Sequence, residues 1–398
     1  MTYKFGNYKA EQKNILYFVF VCAIVFADIF GNGNLNLIYF FGIILILINL
    51  KTKKSFVKDL VIFYLPFCCM VLAEILFSGN EFSKIKVFVY MAKILVCISL
   101  LSYTKNNLWK IDCERIITSI FRFFAILLGA SFLTIRYPYL WRLNDEYNSF
   151  SKTRLKFLYS EPSVLGLLCG LLVILLMYRV FKNKINKKII GEILLFAVII
   201  LLTFSMSGII YTAVAIVVLY LLETFKKKEY VSKRLLFYLV LGIGVIVLVL
   251  TTNNPISNRL AAMFTGQDGS YNFRWSAAIL SFKNIMKMTK YWGMGIGNMN
   301  TVNGMEILLK SGINYKFANS FLYFATENGF LGIFYIIYLI IVCIYGCKEG
   351  KNTSLKIALF VFVFISQIAG GYFTDPLLWI IYGMICSKNK KVLAELGM

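Results

Sequence analysis

The chain has 398 residues, of which 59% are hydrophobic, 17% aromatic and only 15% charged. That balance excludes a soluble globular domain, and apolar runs of about 20 residues recur along the whole length, each long enough to cross a bilayer core about 30 Å thick as a helix. The formal net charge of +23 does not point to nucleic acid, because the basic residues sit in short blocks between apolar runs rather than on one soluble face.

In chain order the predicted spans are 14–32, 35–50, 59–78, 85–103, 114–135, 162–181, 188–205, 207–225, 234–252, 319–346, 355–373 and 375–387, twelve in all. The fold class is therefore an all-α polytopic membrane protein, organised as a single integral-membrane domain over 1–398. The first span, NILYFVFVCAIVFADIF, follows three lysines but lacks a small-x-small cleavage site before GNGN, and it is too long for a signal peptide. It reads as retained. The blocks KTKK with Lys58, KNKINKK, KKKEYVSKR, KEGKNTSLK and SKNKK each follow an even-numbered span. The positive-inside rule then puts them, and both termini, in the cytoplasm. SMSG, between the seventh and eighth spans, reads as an outer hairpin turn.

Two connections are long, at about 136–161 and 253–318, and the odd–even count makes both external. Long loops in an otherwise economical chain mean function or disorder, and these are rich in Trp, Tyr, Gly and Arg rather than disorder-type residues. They are expected to fold over the outer face. The first reads RYPYLWRLNDEYNSFSKTRLKFLYSEPS and gathers Arg136, Arg142, Lys152, Arg154 and Lys156 near Asp145, Glu146 and Glu161. Aromatic faces suit sugar rings and guanidinium groups suit bidentate phosphate recognition, although Tyr, Trp and Arg at this depth also form the ordinary interfacial belt. At its end Glu161 precedes Pro162, either a helix start, with Pro in the first turn and an acid at the positive end of the dipole, or a reactive carboxylate at the water boundary.

In the second loop FRWSAAILSFKNIMKMTK repeats Trp275, Ile279, Phe282 and Met286 at helical spacing, with Lys283, Lys287 and Lys290 on the other side. This predicts an amphipathic helix beside lipid phosphates, its lysines either solvated near anionic headgroups or touching a ligand. YWGMGIGN follows, with glycines at 293, 295 and 297. No strand–helix unit surrounds it, so it is no dinucleotide fingerprint; a turn needing permissive backbone is the better reading, and its N–H groups could also cradle a phosphate.

Arg154 and Arg274 are the leading pair for neutralising a diphosphate leaving group, each in an external segment among residues able to desolvate it. Glu161 joins them as the third catalytic candidate. Arg136, Arg142, Arg259, Lys283 and Asn319 complete the candidate substrate-binding set. Within the spans, Lys93, Arg122, Asp28, Glu74 and Glu192 are costly in lipid and are expected to pair structurally for the most part. All nine cysteines lie in spans or at cytoplasmic edges, so no disulfide framework is implied. The chain has no histidine, which removes His-based triads, and with no other clustered ligands a zinc site is not expected. No cofactor is implied.

Three segments resemble the O-antigen and capsular-polysaccharide polymerases (Wzy type), which share an integral-membrane superfamily with the O-antigen ligases. They are RLKFLYSEPSVLG, FRWSAAILSF followed by YWGMGIGN, and ANSFLYFATENGFLGI. The resemblance implies an enzyme of the outer face of the cytoplasmic membrane that moves a growing glycan from one undecaprenyl-diphosphate carrier onto the sugar of the next. It aligns Arg154 and Arg274 with arginines placed near the diphosphate, and Glu161 with the acidic or amide position before Pro. Partners would be the carrier-linked glycan, membrane lipid, a chain-length regulator and a flippase. Ligases commonly carry a functional histidine just before the tenth-span segment, where this chain has Ala318 and Asn319; that favours the polymerase. Asn319 either positions a substrate hydroxyl or caps its helix, capping being the simpler reading. The rival class is a transporter, such as a lipid-linked oligosaccharide flippase. A facilitator-type carrier is disfavoured by the long external loops, and a transferase using carrier-monophosphate sugars by a first external loop of only GNGN.

Overall fold

The computed structural model describes residues 39, 42–47, 54–78, 83–107, 113–135, 137–143, 153–182, 186–227, 252, 257–258, 261–262, 265–267, 275, 277–311, 319–349, 352–370 and 372–387. The proposed spans 14–32 and, apart from Thr252, 234–252 lie outside these, as do most of 35–50, Asp28, Arg136, Arg259 and Arg274. The described chain is helical, with one two-stranded hairpin. Six of its helices are long and apolar enough to cross a membrane. This is a multi-pass, all-α membrane protein.

The first of these, α1 (Lys54–Phe77), carries a π-helical stretch at Leu60–Tyr64. Pro66 explains it. A proline has no N–H to give the carbonyl four residues back and clashes with it, so the ladder loosens just before the ring. In an apolar surrounding the freed carbonyls need other donors. Tyr338 donates its hydroxyl to the Ile62 carbonyl at 2.9 Å, and Tyr335 donates to that of Phe63 at 2.8 Å.

Next come α2 (Lys84–Asn107), α3 (Cys113–Leu133) and α4 (Pro162–Phe181), which is the most enclosed of the six. α4 packs against α5 (Lys187–Leu202) and α6 (Met206–Lys227). Gly166 and Gly170 form a small-xxx-small face on it: a Cβ at Gly208 of α6 would sit 3.1 Å from the Gly166 Cα, so the backbones touch. The Phe204 corner between α5 and α6 is the turn expected at SMSG, set slightly earlier.

The second long connection contains α7 (Ala278–Met288), a 3-10 turn at Asn298–Asn300 and α8 (Val302–Lys310). α7 is the expected amphipathic helix, but its buried side is Ala278, Ser281, Ile285 and Met286, while Ile279 lies at the margin. The stripe is rotated by about one residue from the Trp275–Ile279–Phe282–Met286 line, because packing on the next helix, not hydropathy alone, chooses the face.

That next helix, α9 (Ser320–Lys348), breaks at Gly329, whose φ of 58° and ψ of −145° suit only glycine. The YWGMGIGN turn docks into the break. Met294 and Gly295 donate their N–H groups to the Thr326 and Glu327 carbonyls, both at 2.9 Å, and Phe330 donates to the Tyr291 carbonyl at 2.9 Å. A Cβ on Gly293 would lie 2.4 Å from the Gly329 nitrogen. α10 (Thr353–Ala369) and α11 (Pro376–Ile385) close the described fold, α11 against α2 and α10 against α6. α11 replaces the expected twelfth span with a ten-residue helix whose residues are all buried. At about 15 Å it reaches half of a bilayer core.

Candidate functional site

The described ends of the first long connection pair with each other. Trp141–Arg142 (β1) pairs antiparallel with Arg154–Leu155 (β2), in a register that sets Arg142 directly opposite Arg154 and Trp141 opposite Leu155. Residues opposite each other in such a pair share a face, so two guanidinium-bearing side chains are brought side by side. The apolar face is bolted down: Trp141 donates its indole N–H to the Ser131 carbonyl at 3.0 Å, and the Phe157 ring meets Phe124 edge-on at 5.3 Å.

Arg154 donates from Nε to the Thr203 carbonyl at 2.9 Å, tying the hairpin to the α5–α6 corner. Glu161 is the N-cap residue of α4, extended at φ −131°, with Pro162 in the first turn. Its side chain makes no capping bond; it forms an ion pair with Arg142 instead. Glu161 therefore starts the helix by position, while its carboxylate is turned to Arg142. The pair is open, with Arg142 28% and Glu161 51% exposed, so its net contribution to stability is small, about 0–1 kcal/mol. The structure thus brings together Arg142, Arg154 and Glu161 beside the N-terminus of the central helix.

Asn319 and Lys283 belong to other elements. Asn319 is buried, and its Oδ1 accepts the Leu322 N–H at 3.0 Å, a helix cap. Lys283 is exposed on α7. The amides of Met294, Gly295, Asn298 and Met299 are spent on carbonyls and on Glu327, so these four do not cradle a phosphate; the glycine-rich turn is a structural latch.

Of the in-span ionisable residues expected to pair, Glu74, Lys93 and Glu192 have no ion pair among the described residues. Glu192 accepts from the Thr118 hydroxyl at 3.0 Å, and Lys93 sits 5.5 Å above the Tyr39 ring. Glu74 is fully buried, with the Ile296 backbone beside its carboxyl. Glu327, absent from the expected set, is equally buried and accepts the Met299 N–H at 3.2 Å through Oε1, pinning the latch. Its sequence signal was the polar run TENG inside an apolar stretch.

The comparisons with known proteins bear on the second half of this region. No curated protein matches the chain. Residues 191–337 match the family model described as O-Antigen ligase, a little over a third of the sequence. The matched stretch takes in Thr203, α7, the latch, Asn319, Glu327 and the Gly329 break, and stops short of Arg142, Arg154 and Glu161. Over that stretch the chain is similar to the O-antigen ligase/polymerase superfamily, enzymes that act on lipid-linked glycans.

Proposed function

We propose that the protein is a polysaccharide polymerase. It joins undecaprenyl-diphosphate-linked oligosaccharide repeat units at the outer face of the cytoplasmic membrane, in O-antigen, capsule or exopolysaccharide synthesis. The observation that carries this is the hairpin register placing Arg142 opposite Arg154, with Glu161 paired to Arg142 at the mouth of α4. The match to the ligase/polymerase superfamily supplies the substrate class. The absence of histidine from the chain favours polymerase over ligase.

In this reading an acceptor sugar hydroxyl attacks the anomeric carbon of the donor glycan. The new C–O bond forms as the bond from that carbon to the diphosphate oxygen breaks, and the electron pair leaves on undecaprenyl diphosphate. Arg154 and Arg274 neutralise the departing diphosphate, with Arg136, Arg142 and Arg259 contributing positive charge to its binding. Donors placed where charge develops contribute most, typically about 3 kcal/mol each. Glu161 takes the acceptor's proton, or orients the hydroxyl while that proton passes to the departing diphosphate, and its ion pair holds Arg142 until substrate arrives. Asn319, by this account, shapes the site through its cap.

The test is reconstitution of the purified chain with one carrier-linked repeat unit. A ladder of elongated glycans is the expected product. Translocation of the substrate with no new glycosidic bond would replace this reading with a flippase, and transfer only to a lipid A core acceptor would replace it with a ligase.

A further inference from the structure

α7 and the part of α9 just beyond the Gly329 break border a surface groove lined by Phe282, Lys283, Met286, Lys287, Tyr291 and Ile333. Its floor is apolar, and two cations stand on its rim. Lys283 and Lys287 lie one turn apart on the same side of α7, both exposed, and neither forms an ion pair among the described residues. The level of the groove in a membrane follows from α9. Residues 330–348, beyond the break, rise roughly 28 Å, about one bilayer core. Ile333 is one turn into that length, which sets the two lysines where headgroups meet acyl chains. From Ile333 an exposed apolar stripe continues down the same helix through Phe334, Ile337, Ile341 and Ile344, the spacing of a lipid-facing helix side.

We propose that this groove is a binding site for an acidic phospholipid, its phosphate held between Lys283 and Lys287 and one acyl chain running past Ile333 along the stripe. Charge complementarity selects the occupant: a zwitterionic headgroup brings its own ammonium group to two lysines, whereas a phosphatidylglycerol headgroup brings only negative charge. The site requires only that the protein sits in a bilayer and is independent of the polymerase reading. It also assigns Lys283 to lipid rather than to the glycan carrier.

Trp292 reports on the groove, since it follows Tyr291 and its ring meets Phe330 at 5.0 Å. The full chain is placed in phosphatidylcholine nanodiscs doped with brominated phosphatidylglycerol or brominated phosphatidylcholine. The Trp292 signal is the difference between the wild type and Trp292→Phe. Brominated phosphatidylglycerol should quench it at about a tenfold lower lipid fraction, and the Lys283→Gln/Lys287→Gln variant should respond equally to both lipids. Equal quenching in the wild type, or a preference that survives the double substitution, overturns the proposal. Should the double variant fail to fold, salt replaces it: the wild-type preference should decay as ionic strength rises, and an unchanged preference overturns the proposal. Release of the phosphatidylglycerol quench by stoichiometric undecaprenyl diphosphate would reassign the groove to the carrier; no release supports the phospholipid.

Discussion

At the scale of single residues, the proposed function gives Arg154 a chemical task and Asn319 a scaffolding one. The Arg154 Nε is committed to the Thr203 carbonyl, which aims the rest of its planar fork without using all of its donors. Lysine keeps the charge but has no second donor group to be aimed in that way. Arg154→Lys should therefore lower chain elongation about 100-fold in the reconstituted ladder assay, while the unfolding temperature falls only by the small amount expected for one lost hydrogen bond to Thr203. Asn319 makes the opposite prediction. Its Oδ1 satisfies the Leu322 amide, so Asn319→Ala should cost about 1 kcal/mol of stability, seen as a lower unfolding temperature, and Asn319→Asp should restore it. If Asp restores stability and elongation stays lost, Asn319 touches substrate after all.

At the scale of elements, a proline in α1 is answered by two tyrosines on α9. Pro66 leaves the Ile62 carbonyl without its helical donor, and Tyr338 supplies one. Tyr338→Phe should destabilise the protein by about 1 kcal/mol. Pro66→Ala restores a backbone N–H at that position, so the same Tyr338→Phe change made in a Pro66→Ala background should cost measurably less. Additive costs in this double-mutant cycle, read from unfolding in detergent, would sink the explanation. The pairing was hidden in the sequence because Tyr335 and Tyr338 look like any span aromatics; only the crossing of α1 and α9 gives them a task.

Across the whole molecule, charge is divided between the two ends of the bundle. The end bearing the hairpin and the latch holds Arg142, Arg154 and Glu161 in an open cluster. The opposite end carries ion pairs between helices: Lys105 with Asp59 and Lys182 with Glu223, each with a buried carboxylate, and Arg179 and Lys188 with a half-exposed Glu114. Lys356 completes it. Its buried ammonium donates to the carbonyls of Gly346, Glu349 and Ser387 at 2.9, 2.6 and 2.6 Å, gathering the ends of α9 and α11 at the start of α10. Lys356→Met should cost roughly 3 kcal/mol, because three carbonyls lose a charged donor at once. A reduced yield of monodisperse protein and a lower unfolding temperature check it, and a neutral outcome would mean that water takes over these carbonyls.

The sequence by itself determined the class of this protein and, among the described residues, where most of its helices begin, α1 excepted. Apolar runs, basic blocks and two outsized connections are local signals, and burial in lipid leaves the backbone little choice but helix. It also singled out Glu161–Pro162 as a helix start and YWGMGIGN as a turn. The tertiary structure alone decided where those features lead. The strand register that puts Arg142 opposite Arg154 joins residues separated by a long loop. The Gly329 break and the glycine-rich latch explain one another only once they are in contact. Glu327 becomes notable only when it proves to be fully buried against the latch. The ten-residue α11, read as a crossing from its apolar composition, is instead a half-length helix packed on α2, because hydropathy reports burial without saying whether lipid or protein does the burying.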